Sequence, residues 1–279
     1  MVIEVLFPEI CNLYGDLANI KYLKESLPEA TIIETSLKEE PYFVNNKVDL
    51  IYMGTTTEEG IVLSLKALTK YKSILGRLIE DGQFFLLTGN AQDIFGQYIE
   101  SDMDTFFSND NPRRVECLGF LNSYAKYRML NRHNSFFIGK PFGEDFEVVG
   151  FKSIFGHTYT INEKNSRDTD CAEGAEGDGG HDADCAEGAG GHDADYAEGW
   201  FDVVRGVGRN PETLIEGFKL NNLYATSLIG PLLLLNPLLT DWVIKKLGVA
   251  SEPKYYGAAM DAYRQRLAEM KNEHFDPNY

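Results

Sequence analysis

The sequence predicts an α/β fold, a three-layer sandwich in which helices cover both faces of a mostly parallel central sheet. Near-continuous apolar segments alternate with amphipathic helical segments over residues 2–99, and this alternation is typical of parallel sheets buried on both faces. The length of 279 residues and the hydrophobic share of 43% are enough for a sizeable core. We predict a single domain over residues 1–250, followed by a C-terminal helical tail over 251–279.

The first part of the chain supplies the predicted central strands and the helices between them. Apolar and β-branched runs predict the strands, and apolar residues at helical spacing predict the helices. The predicted strands span 2–8, 30–36, 47–54 and 83–89. The predicted helices span 17–30 and 59–82, with a further helix beginning at residue 92.

After about residue 112 the pattern changes to shorter strands. They are typical of a meander of antiparallel or mixed edge strands. These segments span 117–130, 134–142, 146–161 and 200–208. A last strand within 222–234 leads to a turn at Gly230-Pro231, and two helices are predicted over 236–248 and 255–273.

Residues 168–199 form a repetitive acidic segment in which the unit GHDAD begins at Gly180 and again at Gly191. The segment holds 11 Asp and Glu and no Lys or Arg, and removing those 11 negative charges from the total of −17 leaves −6. With eight glycines and little to bury, it is predicted to be a disordered insertion on a surface loop. The alternative is weak metal binding, although the spacing fits no zinc or calcium module. The candidate ligands would be His181, His192, Cys171, Cys185 and the aspartates.

Composition and charge argue against several classes of partner. At a net charge of −17, the chain is not expected to bind nucleic acid or an anionic membrane, whose phosphates need clustered Lys and Arg. No apolar run is long enough to span a bilayer, and the first ten residues do not resemble a signal peptide. The four cysteines show no CxxC pairing, so we expect reduced thiols and a cytoplasmic protein.

Three loops are candidate walls of a ligand site, because ligands of open parallel sheets bind outside the carboxyl ends of the strands. They are residues 54–57, 88–90 and 227–230. The first could offer backbone N–H groups as an anion cradle. Alternatively, Thr57 simply caps the helix that begins near Glu58. No GxGxxG or P-loop motif is present.

The segment FFLLTGNAQDIFGQY, residues 84–98, turns sharply from a buried strand into a helix at Thr88. A cysteine at such a corner gains thiolate character from the helix N-terminus, and a histidine usually serves as its base. A threonine hydroxyl is far harder to ionise, and the sequence indicates no proton acceptor for it. His157 is interpreted as a hydrogen-bonding residue of a strand-rich segment, and His133 as a loop residue.

Six segments in order resemble the glutamine amidotransferase domain of the cobyric acid synthase type, and within it the glutaminase subunits of lipid II isoglutaminyl synthases. The similarity covers nearly the whole chain except the insertion and about the last 30 residues. The segments are NLYGDLANI (12–20), DLIYMG (49–54), LLTGNAQDIFGQY (86–98), GFKSIFGHTY (150–159), GVGRNPETLIEGF (206–218) and ATSLIGPLLLLNPLLTDWVI (225–244).

The resemblance implies a fold of the predicted kind, hydrolysis of glutamine and transfer of ammonia to a partner. The nucleophile of the family is a cysteine in a motif like CGGYQ, and its position here holds Thr88. The base is the histidine of a motif like YLHGPLL, and its position holds Ile229. The substrate-binding residues carried over by the resemblance are Gly54, Gly89 and Gln92, of which Gly54 is the remaining glycine of a GGGQD-like turn.

From this resemblance we predict a catalytically degenerate amidotransferase-like protein, a pseudoenzyme. It would be a binding or regulatory subunit of an ATP-dependent amidating ligase in cell-wall or cobyric-acid-type metabolism. The expected partner is a Mur-ligase-like synthetase, with glutamine as ligand if the pocket survives and with no metal or cofactor. The contact is expected near Tyr14, Asp16 and Asn19 or at the C-terminal helix.

Two alternatives remain open. The chain could be an active glutaminase subunit that supplies ammonia to a Mur-ligase-like partner through non-standard residues. Cys11 would be a substitute nucleophile in that case, although a small buried thiol is the simpler interpretation. The chain could also be a binding module whose acidic repeat captures a metal or a basic protein.

Overall fold

The computed structural model describes residues 1–102, 113–161 and 197–272. The predicted insertion lies outside these residues except for its last three, and so do all its candidate metal ligands. The strands of the described residues are β1 (Val2–Leu6), β2 (Thr31–Thr35), β3 (Leu50–Met53), β4 (Phe85–Thr88), β5 (Tyr98–Ser101), β6 (Arg114–Glu116), β7 (Ser123–Tyr127), β8 (His133–Pro141), β9 (Val148–Ile154), β10 (Gly156–Thr160), β11 (Phe201–Arg205), β12 (Ile215–Glu216), β13 (Phe218–Leu220) and β14 (Leu223–Thr226). The α-helices are α1 (Leu17–Ser26), α2 (Glu58–Leu68), α3 (Lys72–Glu80), α4 (Ala91–Ile94), α5 (Leu232–Leu235), α6 (Pro237–Lys246) and α7 (Tyr256–Lys271).

The central sheet has six strands in the order β13-β14-β4-β3-β1-β2. All neighbouring strands run parallel except β13, which is antiparallel to β14. The prediction of an α/β fold with a mostly parallel central sheet is therefore confirmed.

Both faces of this sheet are buried, as strand β3 illustrates. Leu50 and Tyr52 belong to one hydrophobic cluster, whereas Ile51 and Met53 belong to the other. Because successive side chains of a strand point to opposite faces, four apolar residues in a row require a covering layer on each side. Helices α1 and α6 cover the face of Tyr52, and α2 and α3 cover the face of Met53.

The shorter strands form two separate four-stranded sheets rather than edges of the central one. Their orders are β10-β7-β5-β6 and β12-β11-β8-β9. The first is mixed, with β5 and β7 parallel, and the second is antiparallel throughout.

Two predicted helices are shorter than expected. The helix predicted over 59–82 is divided by a 3-10 turn at Thr69–Tyr71, where the Thr69 hydroxyl donates back to the Leu65 carbonyl at 2.6 Å, a bond that bends helices. The helix predicted from residue 92 is a single turn, and the chain enters β5 at Tyr98. A Cβ at Gly96 would lie 3.0 Å from the Ser123 carbonyl oxygen, so the chain passes very close to the neighbouring sheet there.

Helix α7 packs on the antiparallel sheet. Tyr263 and Met270 are buried against Ile138 of β8 and Val149 of β9. No helix in the described part of the chain combines the length and apolar character needed to cross a membrane.

Candidate functional site

A pocket of about 160 Å³ opens at the carboxyl ends of β3, β4 and β14. The three loops that the sequence indicated as walls meet there, through residues 55–57, residues 89–90 and residues 227 and 229. Of the residues predicted to bind substrate, Gly89 and Gln92 line the pocket. Gly54 lies behind the wall, where a Cβ would approach the Cys11 carbonyl oxygen to 2.7 Å. Binding of a ligand by these residues stays a prediction.

Thr88 does not face the pocket. Its side chain is fully buried, and its hydroxyl donates to Asp16 Oδ2 at 2.9 Å and lies 3.0 Å from the Tyr52 hydroxyl. The expectation that no proton acceptor is near this hydroxyl is therefore wrong. Asp16 is 72 residues away in the chain, and nothing in the local pattern indicates the contact. Assignment of Thr88 to the nucleophile position of the family stays a prediction.

Asp16 joins the loops of the site. Its Oδ2 also accepts from the backbone N–H and the hydroxyl of Thr55, both at 2.5 Å, and the Gly230 N–H is a further donor to the carboxyl. Burial is the largest influence and raises the pKa of Asp16, while the hydrogen bonds from Thr55, Thr88 and Gly230 act in the opposite direction. Because the carboxyl oxygens already accept several bonds, they are engaged in holding the loops together.

The sharp corner itself lies at Gly89, one residue beyond Thr88. Gly89 has a left-handed backbone with φ of +59°, and it lines the pocket. A nucleophile on a strand-to-helix turn characteristically occupies such a strained position, but Thr88, to which the resemblance assigns the nucleophile, lies one residue earlier, at the end of β4. A Cβ on Gly89 would lie 2.0 Å from Thr55 Oγ1 and 2.8 Å from Thr55 Cβ. Thr55 therefore fills the space that a corner side chain would need.

The backbone N–H groups of the loop after β3 are occupied by the chain's own side chains. Thr55 donates its N–H to Asp16, and Thr56 donates to Asn90 Oδ1 at 2.9 Å. Thr57 caps α2 by accepting from the Gly60 N–H at 3.0 Å. The structure thus favours the capping interpretation over an anion cradle built from the N–H groups of Thr55 and Thr56.

No histidine among the described residues lines the pocket. Ile229 lines the pocket with an apolar side chain, and its N–H donates to the Phe151 carbonyl at 3.0 Å. His133 and His157 lie beside each other with ring centroids 5.3 Å apart, but neither lines the pocket. Burial lowers the pKa of both, so the neutral imidazoles are favoured. His133 lies in strand β8 rather than on the predicted loop.

Cys11 is not suited to act as a substitute nucleophile. It is fully buried with its Sγ 3.9 Å from the Ser64 hydroxyl. Burial raises the pKa of Cys11 to about 12, so the thiolate needed for attack is scarce near neutral pH. The interpretation of Cys11 as a buried thiol is confirmed.

One wall of the pocket is polar, and one of its hydrogen-bond acceptors has no partner among the described residues. Gln92 is 2% exposed, and its Oε1 has no hydrogen-bond partner among the described residues. Beside it, Asp93 accepts hydrogen bonds from Tyr127 at 2.8 Å and from Thr158 at 3.1 Å. Burial raises the pKa of Asp93 to about 6. Asp93 was not identifiable from the sequence, because its place in the predicted helix gave it no special position.

The pocket mouth carries a cation. The Arg132 guanidinium donates to the Tyr14 hydroxyl at 3.1 Å and to the Ser153 hydroxyl at 3.2 Å, and it stacks on Phe155 at 4.4 Å. The pocket therefore has acceptors at the Gln92 end and a donor at its rim. Among residues 1–102, 113–161 and 197–272, no group of three or more His, Cys, Asp or Glu is placed to hold a metal ion.

The contact surface predicted near Tyr14, Asp16 and Asn19 is largely internal. Asp16 and Asn19 are fully buried, and Tyr14 is 42% exposed. Asn19 accepts from the Leu233 N–H at 2.8 Å and donates to the Tyr52 hydroxyl at 2.9 Å. Asp16 and Asn19 therefore hold α1 to the rest of the domain. Of the three residues predicted to contact a partner, only Tyr14 is accessible to one.

Comparison with known proteins finds relatives whose sequences match most of this chain. It is 27% identical over 251 residues to the lipid II isoglutaminyl synthase (glutamine-hydrolyzing) subunit GatD of Staphylococcus aureus, covering 87% of this chain and 84% of that protein. It is 26% identical over 278 residues to the subunit of the same name from Streptococcus pneumoniae, covering 95% of this chain and 87% of that protein. No family model matches the chain.

Two solved structures are more distant. One is described as a glutamine amidotransferase, at 13% identity and a TM-score of 0.48, covering 89% of this chain and 100% of the other. The second is a glutamine amidotransferase from Thermotoga maritima, at 8% identity and a TM-score of 0.44, covering 95% of this chain and 91% of the other. Likeness at this level has no bearing on the chemistry of the pocket.

Proposed function

We propose that this chain, which is similar to the GatD subunits over most of its length, is a glutamine amidotransferase-type domain that serves as a catalytically silent subunit of an amidating ligase in cell-wall metabolism. The relatives are named as subunits of lipid II isoglutaminyl synthase, which supports a partner with the ligase activity. As part of the same proposal, that partner is a Mur-ligase-like, ATP-dependent synthetase. The assembly acts in the cytoplasm, in agreement with the free thiols of Cys11 and Cys117.

The proposed loss of activity rests on one observation, the burial of the Thr88 side chain away from the pocket with its hydroxyl bonded to Asp16. Thiol-dependent hydrolysis needs a nucleophile at the corner, a base facing it and donors for the oxyanion. Here the position that the resemblance gives to the nucleophile holds Thr88, whose side chain is fully buried, and Thr55 occupies the space beside Gly89. The base position holds Ile229, and the nearby N–H groups of Thr55 and Thr56 are already bonded. These residues supply neither the thiol nor the imidazole, and these two N–H groups are not available to an oxyanion.

The pocket nevertheless supports a ligand-binding role. Its volume of about 160 Å³ suits a ligand or ligand portion of few atoms. The buried Oε1 of Gln92 has no partner among the residues that the structure describes, and such atoms are rare in folded proteins unless water or a ligand satisfies them. A small molecule that donates to Gln92 would satisfy it, which makes the pocket a regulatory site within this proposal.

The decisive experiment measures ammonia release from glutamine by the purified chain, alone and with the partner recovered from the native host. We expect no release above that of a heat-denatured sample, and we expect a ligase-like protein to co-purify with the chain. Turnover by the chain that disappears in Cys11→Ser or Thr88→Val would overturn the proposal. Recovery of the chain alone as a monomer would contradict the subunit role.

One observation favours a second candidate, an active glutaminase that uses non-standard residues. The Thr88 hydroxyl donates to the Asp16 carboxylate, as an activated nucleophile would donate to a base. The burial of Thr88 weighs against it, since the hydroxyl is shielded from the pocket. Thr88→Val keeps the side-chain shape and removes the hydroxyl, so this candidate requires the variant to lose all turnover.

A further inference from the structure

A second depression, of about 380 Å³, lies beside α6 and shares no lining residue with the first pocket. It is formed by the edge of the central sheet at β13 and β14, by α6 and by the segments that flank β8 and β11. Its size lies in the range of small-molecule sites. Nothing in the proposed amidotransferase role uses it.

Three lysines converge on this depression in a chain whose net charge is −17. Lys219 comes from β13, and Lys245 and Lys246 come from the last turn of α6. Of the described residues, Glu144 is the one carboxylate that lines the depression, and its Oε1 accepts from the Trp242 indole N–H at 2.7 Å. The depression is therefore richer in cations than the chain as a whole.

The partners of the three ammonium groups are exchangeable. Lys219 pairs with Glu198 at 3.3 Å, and that carboxylate side chain is 73% exposed. Lys245, itself 66% exposed, pairs with Asp241 at 2.6 Å. Exposed pairs of this kind contribute little to stability, so a ligand with more negative charge than one carboxylate can compete for the same ammonium groups. Lys246 has no carboxylate partner in the described part of the chain and lies near Asn222 Oδ1 at 3.3 Å.

An aromatic wall closes the back of the depression. Trp242 packs edge-on against Tyr224 with centroids 4.9 Å apart, and Trp200 lies 6.2 Å from Trp242. The Lys246 ammonium lies 4.9 Å from the Trp242 ring and 5.0 Å from the Tyr224 ring. These contacts orient Lys246 toward the depression, and the ring of Trp242, partly exposed, offers a flat surface beside the cations.

We propose that this depression binds a small molecule that carries two or more phosphate groups. Three ammonium groups around one cavity match the several charges of a di- or triphosphate, because lysine binds phosphate as a point charge. Either inorganic pyrophosphate or a nucleoside di- or triphosphate presents this chemistry. In the second case the base would lie against the Trp242 ring.

The two tryptophans make the proposal directly measurable. The chain contains only two, Trp200 and Trp242, and both line this depression, so tryptophan emission reports on it alone. The full-length chain is titrated at constant ionic strength with sodium pyrophosphate, with ATP and with citrate as a polycarboxylate. We expect a saturable emission change with both phosphate ligands, at a lower concentration than with citrate.

Substitutions of the lining lysines test whether the ligand binds in this depression. Lys246→Gln should weaken pyrophosphate binding about tenfold, the loss expected for a hydrogen bond to a charged group, and Lys219→Gln on the opposite wall should weaken it as well. Lys70→Gln is the matched control, because Lys70 also lies over a tyrosine ring, at 4.8 Å from Tyr71, but outside the depression. Its affinity should equal that of the unchanged chain.

The results of the titrations distinguish the two possible ligands. Tighter binding of ATP than of pyrophosphate would identify a nucleotide as the ligand, and equal binding would identify the phosphates alone. The proposal is overturned if no titration saturates, if citrate binds as tightly as pyrophosphate, or if Lys70→Gln loses as much affinity as Lys246→Gln. None of these results depends on whether the chain hydrolyses glutamine.

Discussion

The two sides of the pocket differ in how their polar groups are satisfied. On the side of the corner, Asp16 accepts from Thr55 and Thr88, and the remaining space is filled by the Thr55 side chain. On the side of α4, Gln92 Oε1 has no partner among the described residues, and burial raises the pKa of the neighbouring Asp93. The polar groups at the corner are thus satisfied within the fold, whereas the α4 side keeps one unsatisfied acceptor and a buried carboxyl that titrates near pH 6. Four predictions test this difference, from the largest expected effect to the smallest.

Asp16→Ala should lower the free energy of unfolding by about 3–4 kcal/mol, because several buried donors lose their acceptor at once. Those donors are the N–H and hydroxyl of Thr55 and the hydroxyl of Thr88. Urea unfolding followed by circular dichroism measures the change. Asp261→Ala is the control, since Asp261 pairs with Arg264 in an 80% exposed position, and it should leave the unfolding midpoint nearly unchanged. Equal effects of the two substitutions would contradict a structural role for Asp16.

The free energy of unfolding should fall as the pH rises from about 4 to about 6. In this window the folded Asp93 carboxyl, with its pKa of about 6, still holds a proton that the unfolded chain releases, so raising the pH favours the unfolded state. The protonated Asp93 carboxyl contributes about 3 kcal/mol to the free energy of unfolding at the low end of this window. This stabilisation is lost once the pH exceeds the pKa of Asp93 in the folded chain.

Asp93→Asn should remove this slope, and urea titrations of both proteins at several pH values measure the difference. The comparison with the variant is needed because burial also raises the pKa of Asp16 and Glu4. An identical pH dependence in the two proteins would show that Asp93 is ionised in the folded chain.

Gly89→Cys should destabilise the fold by about 2–3 kcal/mol, because a side chain is strained at a left-handed position and collides with Thr55. Removing the collision with Thr55→Gly in the same chain should recover about 1–2 kcal/mol of that loss relative to the sum of the single changes. A double-mutant cycle in urea measures the coupling. Purely additive effects would show that Thr55 does not fill the corner.

Gln92→Leu should change the free energy of unfolding by less than about 1 kcal/mol, since its Nε2 makes one long hydrogen bond, to the Thr158 hydroxyl at 3.3 Å, and its Oε1 has no bond to lose within the described residues. Gln97→Leu is the matched control and should cost about 1–2 kcal/mol, because the Gln97 amide donates to the Gly119 and Leu121 carbonyls at 3.0 and 3.3 Å. A larger loss at Gln92 than at Gln97 would mean that the Gln92 amide is already satisfied.

Much of the fold could be predicted because the central strands carry their own signal. Four consecutive buried residues in β3 and in β4 are diagnostic of a strand covered on both faces. The boundaries of helices were less predictable. The run after Gly89 has apolar residues at helical spacing, yet it forms one turn because close contact with the neighbouring sheet directs the chain into β5. That constraint comes from residues far along the chain.

The candidate site was predictable in its position but not in its details. The walls follow from the rule that ligands lie at the carboxyl ends of parallel strands, and Ile229 in the pocket agrees with the motif that indicated it. The contact of Asp16 with Thr88 and the fit of Thr55 against Gly89 are long-range side-chain contacts. No spacing in the sequence encodes them, so Asp16 was expected at a partner surface instead of in the core.

The fit of Thr55 against Gly89 also bears on whether a nucleophile could arise at the corner. A cysteine in place of Gly89 is penalised by Thr55, and a mutation that clears Thr55 discards a buried partner of Asp16 before any nucleophile exists. Each first step is costly and brings no catalysis by itself, so the pair disfavours both orders of change. Under the proposed function, a lineage carrying both residues is expected to acquire new roles for its pocket more readily than a nucleophile at Gly89.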